Sequence, residues 1–344
     1  MSAHTSTESR ADPTQSRSRQ LIVRIAALRA WLFLALLLIF FETWSRVSYG
    51  QTFLFSAYNA QSIAIFAVAP LLLALGSTFV IISGGIDLSV GFIMGLAAVI
   101  AAHATNLAGH SLPPFAAMLV GILAGLLVAL GPGFVNGFLI SKLKVPPFIG
   151  TLGMFGVARG VAFLLAGGTT VPVANAWFAS LGNGRIFGIP VIVVITILFV
   201  LLMHYVLSQT RFGQHTYAIG ANEQAAIRSG INVPRHIRKL YLLSALCAGL
   251  GGVLYAARFT AGAAQAGEPL LLDSIAAVVI GGASLFGGSG TILGTVAGAL
   301  VIAVIQYGLV FINVEPFWQF IAVGVVIIIS VLVDQTQRKL GGDR

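Results

Sequence analysis

Charged side chains are scarce in this sequence. Only 8% of its 344 residues are Asp, Glu, Lys or Arg, whereas 58% are hydrophobic. A soluble domain carries about 25% charged residues, which it needs to cover its water-facing surface. The composition therefore excludes one or two ordinary soluble domains and indicates a protein that is surrounded mostly by lipid.

Several motifs typical of enzymes are also absent. The chain has no Gly-Lys dipeptide, so it cannot contain a phosphate-binding loop of the G-x-x-x-x-G-K-[ST] type, and it has no His-Glu-x-x-His sequence. Its histidines are too far apart in sequence to indicate a local metal site, and its one cysteine, Cys247, has no intrachain partner. We therefore expect no catalytic residues, no metal and no cofactor in this chain, and we do not expect an enzyme.

Apolar runs long enough to cross a bilayer dominate the rest of the sequence, because the hydrocarbon core needs roughly 20 residues per helix. We count about ten runs, at residues 25–41, 61–82, 88–108, 115–140, 146–166, 186–207, 240–257, 270–285, 292–311 and 317–333. The run at 270–285 is short and bounded by glycine. The predicted fold is all-α, a polytopic membrane protein with a comparable number of transmembrane helices.

The basic residues predict the topology. If the first run enters from the cytoplasm, 15 of the 19 Lys and Arg residues lie on the cytoplasmic side, three lie outside, and Arg159 lies within an apolar run. Such an excess marks cytoplasmic connections, so we expect both termini in the cytoplasm. The net charge of +9 is then explained by topology. Because the basic residues are divided among loops, they do not predict binding of nucleic acid.

The chain is predicted to consist of one membrane domain and two short tails. Residues 1–24 are rich in Ser, Thr and Arg and lack apolar periodicity, which predicts a disordered cytoplasmic tail. Residues 25–333 form the transmembrane domain, which includes a long cytoplasmic loop at 208–239, and residues 334–344 form a cytoplasmic C-terminal tail.

Two glycine-rich motifs follow apolar runs in the two halves of the chain, at residues 83–91 (SGGIDLSVG) and 281–294 (GGASLFGGSGTILG). Such paired, glycine-interrupted segments indicate the binding region of a transporter, and they form a weak internal repeat. Glycines at these places also suit tight turns and close helix packing. For Asp87 we favour a cap of the helix that begins at Leu88 over direct contact with a substrate.

The loop at 208–239 is longer than a simple connection requires. Within it, residues 220–231 predict a short helix that Asn222 can cap and Gly230 can end. Two interpretations are equally supported by the residues. The helix docks onto a soluble partner, or it lies on the lipid headgroups.

Four segments together resemble the ribose-type permease subunits of bacterial ABC importers for monosaccharides. They are residues 78–91, residues 146–153 with Arg159-Gly160, residues 211–213 with 220–231, and residues 281–294. The resemblance extends over roughly residues 52–334 and follows the order of the family's motifs.

The resemblance implies a multi-pass permease of the bacterial inner membrane, surrounded by lipid. It implies a homodimer, bound to a tandem ATP-binding subunit that holds ATP and Mg²⁺, and supplied by a periplasmic sugar-binding protein. The loop at 208–239 would then contain the coupling helix that contacts the ATPase. The contacts implied for that helix are Gly220, Asn222, Glu223, Ala225, Ala226 and Gly230.

The resemblance also implies that the substrate path passes near the glycine motifs. The candidate residues of the path are Ser83, Gly84, Gly85, Asp87, Asn136, Gly281, Gly282, Ser284 and Gln306. For the polar side chains among them, a hydrogen bond between helices is the favoured alternative role.

Two other functions stay open. An ion-coupled secondary transporter of a small polar solute would need mid-membrane carboxylates, and the sequence places Asp87, Glu268, Asp273 and Glu315 near ends or turns. An ABC permease for branched-chain amino acids or nucleosides would share the glycine-rich segments. The sequence does not identify the sugar.

Overall fold

Helices form nearly all of the regular structure in the computed structural model. The structure describes the backbone of residues 13–315 and 317–341, and side chains within residues 28–332 except 316, 330 and 331. The helices are α1 (Pro13–Tyr49), α2 (Ala57–Ile82), α3 (Val90–Gly109), α4 (Pro114–Ser141), α5 (Pro147–Ala166), α6 (Ala176–Asn183), α7 (Val191–Gln209), α8 (Arg211–Ala221), α9 (Glu223–Arg228), α10 (Val233–Phe259), α11 (Glu268–Ile280), α12 (Ile292–Phe311) and α13 (Phe317–Gly341). Two short antiparallel pairs join β1 (Val171–Pro172) to β4 (Ala261–Gly262) and β2 (Arg185–Ile186) to β3 (Ile189–Pro190).

The all-α polytopic fold is confirmed. Within the described residues, eight helices are long and apolar enough to cross a membrane: α1, α2, α3, α4, α5, α7, α10 and α12. The limits of α2, α3, α4 and α5 follow the apolar runs closely, and α12 has the same limits as the run at 292–311, whereas α1 and α10 extend beyond their runs at both ends. The reason is physical, because the thickness of the hydrocarbon core sets the length of each span.

The predicted number of about ten spans is not confirmed. The run at 270–285 forms α11, which has only 13 residues and is too short to cross by itself. The run at 317–333 lies in α13, whose described apolar part, Phe317–Ile329, is also shorter than a full span.

The N-terminal tail differs from the prediction. Helix α1 begins at Pro13, so residues 13–24 are helical rather than disordered, and residues 1–12 lie outside the described part of the chain. Proline suits the first turn of a helix, and extending an existing helix by one residue costs far less than starting a new one. Residues 13–24 therefore continue the helix that contains the first span.

The connections alternate between two ends of the molecule. The α2–α3, α4–α5, α7–α10 and α11–α12 connections meet at one end, which we name the basic end because the α4–α5 and α7–α10 connections carry its lysines and arginines. The α5–α7 and α10–α11 connections meet at the opposite end, where the Val173 N–H donates to the Thr260 carbonyl at 2.8 Å. That the basic end faces the cytoplasm stays a prediction from the charge distribution.

The interior is built from α2, α3, α10 and α12. Within their spans 72–83% of the residues are buried, against 22–28% for α1, α4, α5 and α7, which therefore form the outer layer. Glycine allows the inner helices to approach closely, since a Cβ on Gly252 of α10 would lie 2.2 Å from the Met94 carbonyl oxygen of α3. Between helices in lipid there is no hydrophobic driving force, so close packing of small residues holds them together.

The segment before α11 returns from the opposite end along α3. A Cβ on Gly262 would lie 2.4 Å from the Ala98 carbonyl oxygen, one on Gly95 would lie 1.9 Å from the Ala264 carbonyl oxygen, and one on Gly91 would lie 2.5 Å from the Gly267 carbonyl oxygen. From Gly262 to Gly267 the chain therefore passes down α3 in contact with its backbone. Helix α11 then continues toward the basic end, so residues 260–280 form a discontinuous crossing.

We predict that Gly95→Ala destabilises the protein, because the new methyl group would overlap the Ala264 carbonyl oxygen and separate α3 from this segment. Overpacking of this kind costs about 1–3 kcal/mol. The midpoint of thermal unfolding in detergent, followed by size-exclusion chromatography, measures the effect. Gly131→Ala in α4 is the matched control, because apart from its chain neighbours and the backbone of its own helix no described atom lies within 4 Å of its Cβ position. Equal midpoints for the two variants would contradict the packing described above.

Candidate coupling and translocation site

The two glycine motifs end α2 and α11 with the same backbone hydrogen bonds. After α2, the Gly84 N–H donates to the Ile81 carbonyl at 2.9 Å and the Gly85 N–H to Val80 at 3.0 Å. After α11, the N–H groups of Gly282 and Ala283 donate to the carbonyls three and five residues earlier, at 3.0 and 3.1 Å. This is the Schellman arrangement, which satisfies the last carbonyls of a helix. The internal repeat is therefore present as a repeated helix end.

Glycine is required at the corresponding turn position of both motifs. Gly84 has φ +82° and Gly282 has φ +92°. Residues with side chains rarely adopt this left-handed conformation, whereas glycine adopts it at little cost. Each glycine turns the chain sharply, and after α11 the turn lets α12 begin close to the end of α11, since a Cβ on Gly281 would lie 2.4 Å from the Gly294 carbonyl carbon.

The two motifs are in direct contact at the basic end. The Gly288 N–H donates to the Ile82 carbonyl at 2.8 Å. Deeper in the bundle the hydroxyls of Thr78 in α2 and Thr295 in α12 lie 2.7 Å apart. The first and second halves of the chain are therefore joined by hydrogen bonds at the point where each half reverses direction.

The predicted coupling loop contacts both motifs. A Cβ on Gly220, in the last turn of α8, would lie 1.8 Å from the Ile82 carbonyl oxygen and 2.6 Å from the Gly288 nitrogen. The Tyr217 hydroxyl, one helical turn earlier, donates to the Gly290 carbonyl at 2.6 Å. Burial raises the pKa of Tyr217, which keeps this hydroxyl protonated as a donor. We name the meeting point of residues 82–85, 217–221 and 287–290 the glycine junction.

Helix α9 is the exposed part of the loop. The Asn222 carboxamide oxygen accepts the Ala225 N–H at 2.9 Å and caps α9, as the sequence predicts. The side chains of Asn222, Glu223 and Ala225 are exposed, and so is Gly230. These residues are therefore available to a partner at the basic end.

Ala226 and Gly220 face inward instead. Ala226 is 3% exposed and packs with Ile219 and Val233, so the structure places its side chain inside the loop rather than on its outer face. Gly220 is held in the glycine junction. The sequence pattern does not distinguish these positions, because a helix of six residues is too short to show an apolar face.

The α4–α5 connection also contacts the coupling loop. The Lys144 Nζ lies 3.7 Å from a Glu223 carboxylate oxygen. Behind this ion pair is a cavity of about 210 Å³, lined by Ser83, Gly84, Gly85, Lys144, Glu223 and Tyr241 among others. The predicted path residues at 83–85 thus border a cavity that the coupling loop closes on one side.

Asp87 does not cap α3, contrary to the prediction. The helix begins at Val90, and Ser89 occupies the cap position without a capping side-chain bond. One Asp87 carboxylate oxygen accepts from the Ser89 N–H at 3.0 Å and from its hydroxyl at 2.6 Å, and the other accepts from the Ser244 hydroxyl at 2.9 Å. Asp87 is 2% exposed, so it links the start of α3 to α10 within the interior.

Asn136 belongs to the same buried network. Its amide nitrogen donates to the Ser89 hydroxyl at 2.8 Å, and the residue is fully buried in α4. The Ser83 hydroxyl donates to the Val80 carbonyl at 2.7 Å, and the Ser284 hydroxyl accepts the Phe286 N–H at 3.1 Å. These predicted path residues therefore take part in helix contacts and turns, the alternative role that the sequence favours.

Gln306 lies apart from the other candidates, toward the opposite end. It borders a cavity of about 390 Å³ whose polar neighbours are Tyr255 and Arg258. Its amide nitrogen donates to a carboxylate oxygen of Asp273 at 2.8 Å, and Asp273 is 7% exposed. The structure thus brings Gln306 together with a buried acid that the sequence interpretation placed near a helix end.

Sequence reasoning missed the residues that connect distant elements. Tyr217, Ser244, Asp273 and Thr295 all bond to residues more than 30 positions away in the chain. For Asp273 a signal existed, because an acid within an apolar run is costly in a membrane unless it is paired. The other three are single polar residues in helical sequence, and no pattern predicts their partners.

In the part of the chain that the structure describes, no group of three or more His, Cys, Asp or Glu side chains is placed to hold a metal ion.

Comparison with known proteins gives the family. Residues 59–331 match the family described as branched-chain amino acid transport system / permease component. The ribose import permease protein RbsC of Bacillus subtilis is 40% identical over 266 residues, which cover 77% of this chain and 80% of the relative. The fructose import permease protein FrcC of Rhizobium meliloti is 37% identical over 298 residues, covering 83% and 80%. The D-allose transport system permease protein AlsC of Escherichia coli is 34% identical over 288 residues, covering 84% and 86%.

A bundle of apolar spans whose repeated helix ends meet at one end of the molecule defines a polytopic membrane protein. The chain belongs to the permease-component family of the branched-chain amino acid transport systems, which also includes sugar import permeases. It is a multi-pass inner-membrane permease and not an enzyme.

We predict that Asp87→Ala lowers stability, because it leaves the hydroxyls of Ser89 and Ser244 without their acceptor in the interior. Each buried polar group left without a partner costs about 1–3 kcal/mol. Thermal unfolding in detergent measures the change, and Glu315→Ala, at an exposed acid, is the control. A direct role in binding substrate would instead give a variant of normal stability with impaired uptake.

Proposed function

We propose that this chain is the membrane subunit of an ATP-binding-cassette importer and that it carries a monosaccharide, a pentose or hexose, into the cell. The observation that supports this most strongly is the set of relatives, which are 34–40% identical over most of their length and are named as permeases for ribose, fructose, D-allose and galactose/methyl galactoside. With no phosphate-binding loop of its own, the chain would take its energy from a separate subunit that binds ATP and Mg²⁺.

The glycine junction supports a specific way of coupling. In this proposal the ATPase holds the exposed residues of α9 and displaces the coupling loop when it binds and hydrolyses ATP. Because Gly220 is packed against Ile82 and Gly288 with no room for a side chain, the displacement moves the end of α2 and the α11–α12 connection together. In this proposal both segments border the substrate path, so the same motion would open and close it.

The path is proposed to run from the cavity beside Gln306 to the cavity beside residues 83–85. A transport path must bind its cargo weakly enough to release it. A lining with few polar groups binds the cargo more weakly than a lining with many. Gly281, Gly282 and Ser284 would flank the exit. The remaining partners proposed are a second copy of the chain, a tandem ATP-binding subunit and a periplasmic sugar-binding protein.

A second candidate follows from the family description itself, which names branched-chain amino acids. Transport driven by an ion gradient is a third. Helix α11 carries the buried acid Asp273, but this acid is bonded to Gln306 rather than to a second carboxylate or a histidine. That arrangement does not resemble a chain of proton-binding groups.

We predict ATP-dependent uptake of at least one monosaccharide. Proteoliposomes containing this chain, its ATP-binding subunit and its binding protein would be tested with radiolabelled ribose, fructose, galactose, allose and leucine. Uptake of a sugar that requires ATP and persists after the proton gradient is collapsed is the expected result. Uptake of leucine alone, or gradient-driven uptake by the chain without its ATPase, would overturn the proposal.

We predict that Glu223→Lys uncouples ATP hydrolysis from uptake while the permease stays folded, because Glu223 is exposed on α9. Uptake should fall at least tenfold, and thermal stability should match that of the unaltered protein. The matched control is Glu315→Lys, the same charge reversal in the α12–α13 connection.

A charge swap separates docking from the ion pair with Lys144. The double variant Glu223→Lys with Lys144→Glu restores the pair but leaves the reversed charge on α9. If Glu223 contacts the ATPase, the swap does not recover uptake. Full recovery would show that only the internal ion pair matters and would refute the docking role of Glu223.

A further inference from the structure

An apolar groove lies between α4, α7 and α10 in the half of the bundle nearer the basic end. Its volume is about 340 Å³, and Phe212 of α8 lies at its mouth. Seven of its eight lining residues are apolar, and the eighth is Lys239. The groove shares no lining residue with the glycine junction or with the two cavities of the proposed path, so cargo transport does not explain it.

The groove is about as deep as one leaflet of the membrane. Leu130 lies eleven residues before Ser141, which ends α4 at the basic end, and Leu246 lies thirteen residues after Val233, which begins α10 there. At 1.5 Å per residue these separations are about 17 Å and about 20 Å. Half of a hydrocarbon core of about 30 Å is about 15 Å, so the groove reaches the middle of the membrane.

The surroundings of the groove are apolar as well. Its floor is the inner helix α10, and its walls are α4 and α7, which belong to the outer layer. Leu127 and Phe134, one turn to either side of Leu130, are exposed, and so is Leu202, one turn before Val206. An apolar cavity of about 150 Å³ stays dry and takes up hydrocarbon. A larger apolar groove in contact with lipid is therefore filled by a lipid tail.

Basic residues surround the mouth of the groove. Lys239 lines it, Arg235 lies one helical turn earlier on the same face of α10, and Arg211 directly precedes Phe212. All three basic side chains are exposed. The ion pairs among the described residues are those of Arg46 with Glu42 and Lys144 with Glu223, so no acid in that part of the chain neutralises this cluster.

We infer that the groove binds one anionic phospholipid, with an acyl chain against Leu130 and Leu246 and the phosphate beside Lys239, Arg235 and Arg211. The basic cluster selects a headgroup with net negative charge, such as that of phosphatidylglycerol, over a zwitterionic one. The apolar lining selects a lipid over a soluble phosphate, which would leave the groove empty. A second copy of the chain packed symmetrically on this groove would bring two basic clusters together, which is unfavourable. The site is independent of the cargo that is carried.

The bound lipid contacts the coupling loop. The Phe212 ring, at the mouth of the groove, lies 5.9 Å from the Phe79 ring of α2 and 4.6 Å from the His236 ring of α10, measured between ring centres. Helix α8 continues from Phe212 to Tyr217 and Gly220 in the glycine junction. An acyl chain behind Phe212 supports the position of α8. Because this surface exists only in the folded protein, binding also stabilises the fold.

Titration with defined lipids tests the choice of headgroup. The full chain in detergent is mixed with phosphatidylglycerol or phosphatidylcholine of the same acyl chains, and bound lipids are counted by native mass spectrometry. Lys239→Gln should lower the affinity for phosphatidylglycerol about fivefold, the contribution of one basic residue near an anionic headgroup, and leave phosphatidylcholine unaffected. Lys142→Gln, the same loss of charge at the exposed end of α4, is the matched control. Equal affinities of the two variants for phosphatidylglycerol would overturn the inference.

Filling the groove tests the position of the acyl chain. Leu246→Trp places a larger side chain at the deep end, and Leu198→Trp replaces an exposed leucine of α7 outside the groove. Phosphatidylglycerol should raise the midpoint of thermal unfolding of the unaltered protein and of Leu198→Trp, but not that of Leu246→Trp. A normal response of Leu246→Trp would refute the site. If that variant does not fold, the affinity of Lys239→Gln decides alone.

Two further measurements separate the other occupants. Glycerophosphoglycerol, the headgroup without acyl chains, should not raise the midpoint, and full stabilisation by it would show that the groove is not needed. Light scattering after size-exclusion chromatography should give Leu246→Trp the oligomeric state of the unaltered protein. Loss of a dimer in Leu246→Trp with phosphatidylglycerol binding unchanged would assign the groove to a second copy of the chain and overturn the lipid site.

Discussion

The hydrogen bond from the Gly288 N–H to the Ile82 carbonyl is the contact on which the basic end depends. The last carbonyls of a helix have no partner within it, and water cannot supply one to Ile82 because this residue is fully buried. The Schellman turn satisfies the Val80 and Ile81 carbonyls, and the second glycine motif satisfies that of Ile82. The hydrogen bond that pairs the Ile82 carbonyl thus joins the two halves of the chain, and Gly220 packs against both of its partners, Ile82 and Gly288.

Much of the fold can be predicted from the sequence, because membrane thickness and helix rise together determine the length of each apolar run. The limits of α12 are an example. The cap of α9 by Asn222 could also be predicted, in this case from the local sequence. The discontinuous crossing could not be predicted from periodicity. Its extended part is held by backbone contacts with Gly91 and Gly95, residues that precede it by more than 150 positions in the chain.

Only part of the candidate site could be predicted from the sequence, because its contacts also join residues that are far apart in the chain. A motif such as SGGIDLSVG shows that the chain turns, but not which groups its polar side chains meet. Asp87 bonds to Ser244, 157 residues later, and this contact exists only after α3 and α10 have packed. Ala226 is similar, since its burial depends on Ile219 and Val233. Glu223, by contrast, sits on a short capped helix, and its exposure follows from local sequence.

The two ends of the molecule are stabilised by different physical interactions. At the basic end the resource is close backbone contact, with Gly220 packed against Ile82 and Gly288. Near the opposite end it is a buried polar pair, Asp273 with Gln306, beside an aromatic cavity.

The packing of Gly220 also restricts how the chain can change in length. One residue inserted into α8 would rotate every later position of that helix by about 100°. A side chain would then replace the glycine against the Ile82 carbonyl, and Tyr217 and Gly220 would no longer face the same connection. Length changes in the coupling loop should therefore be tolerated after α9, near Gly230, and not before it.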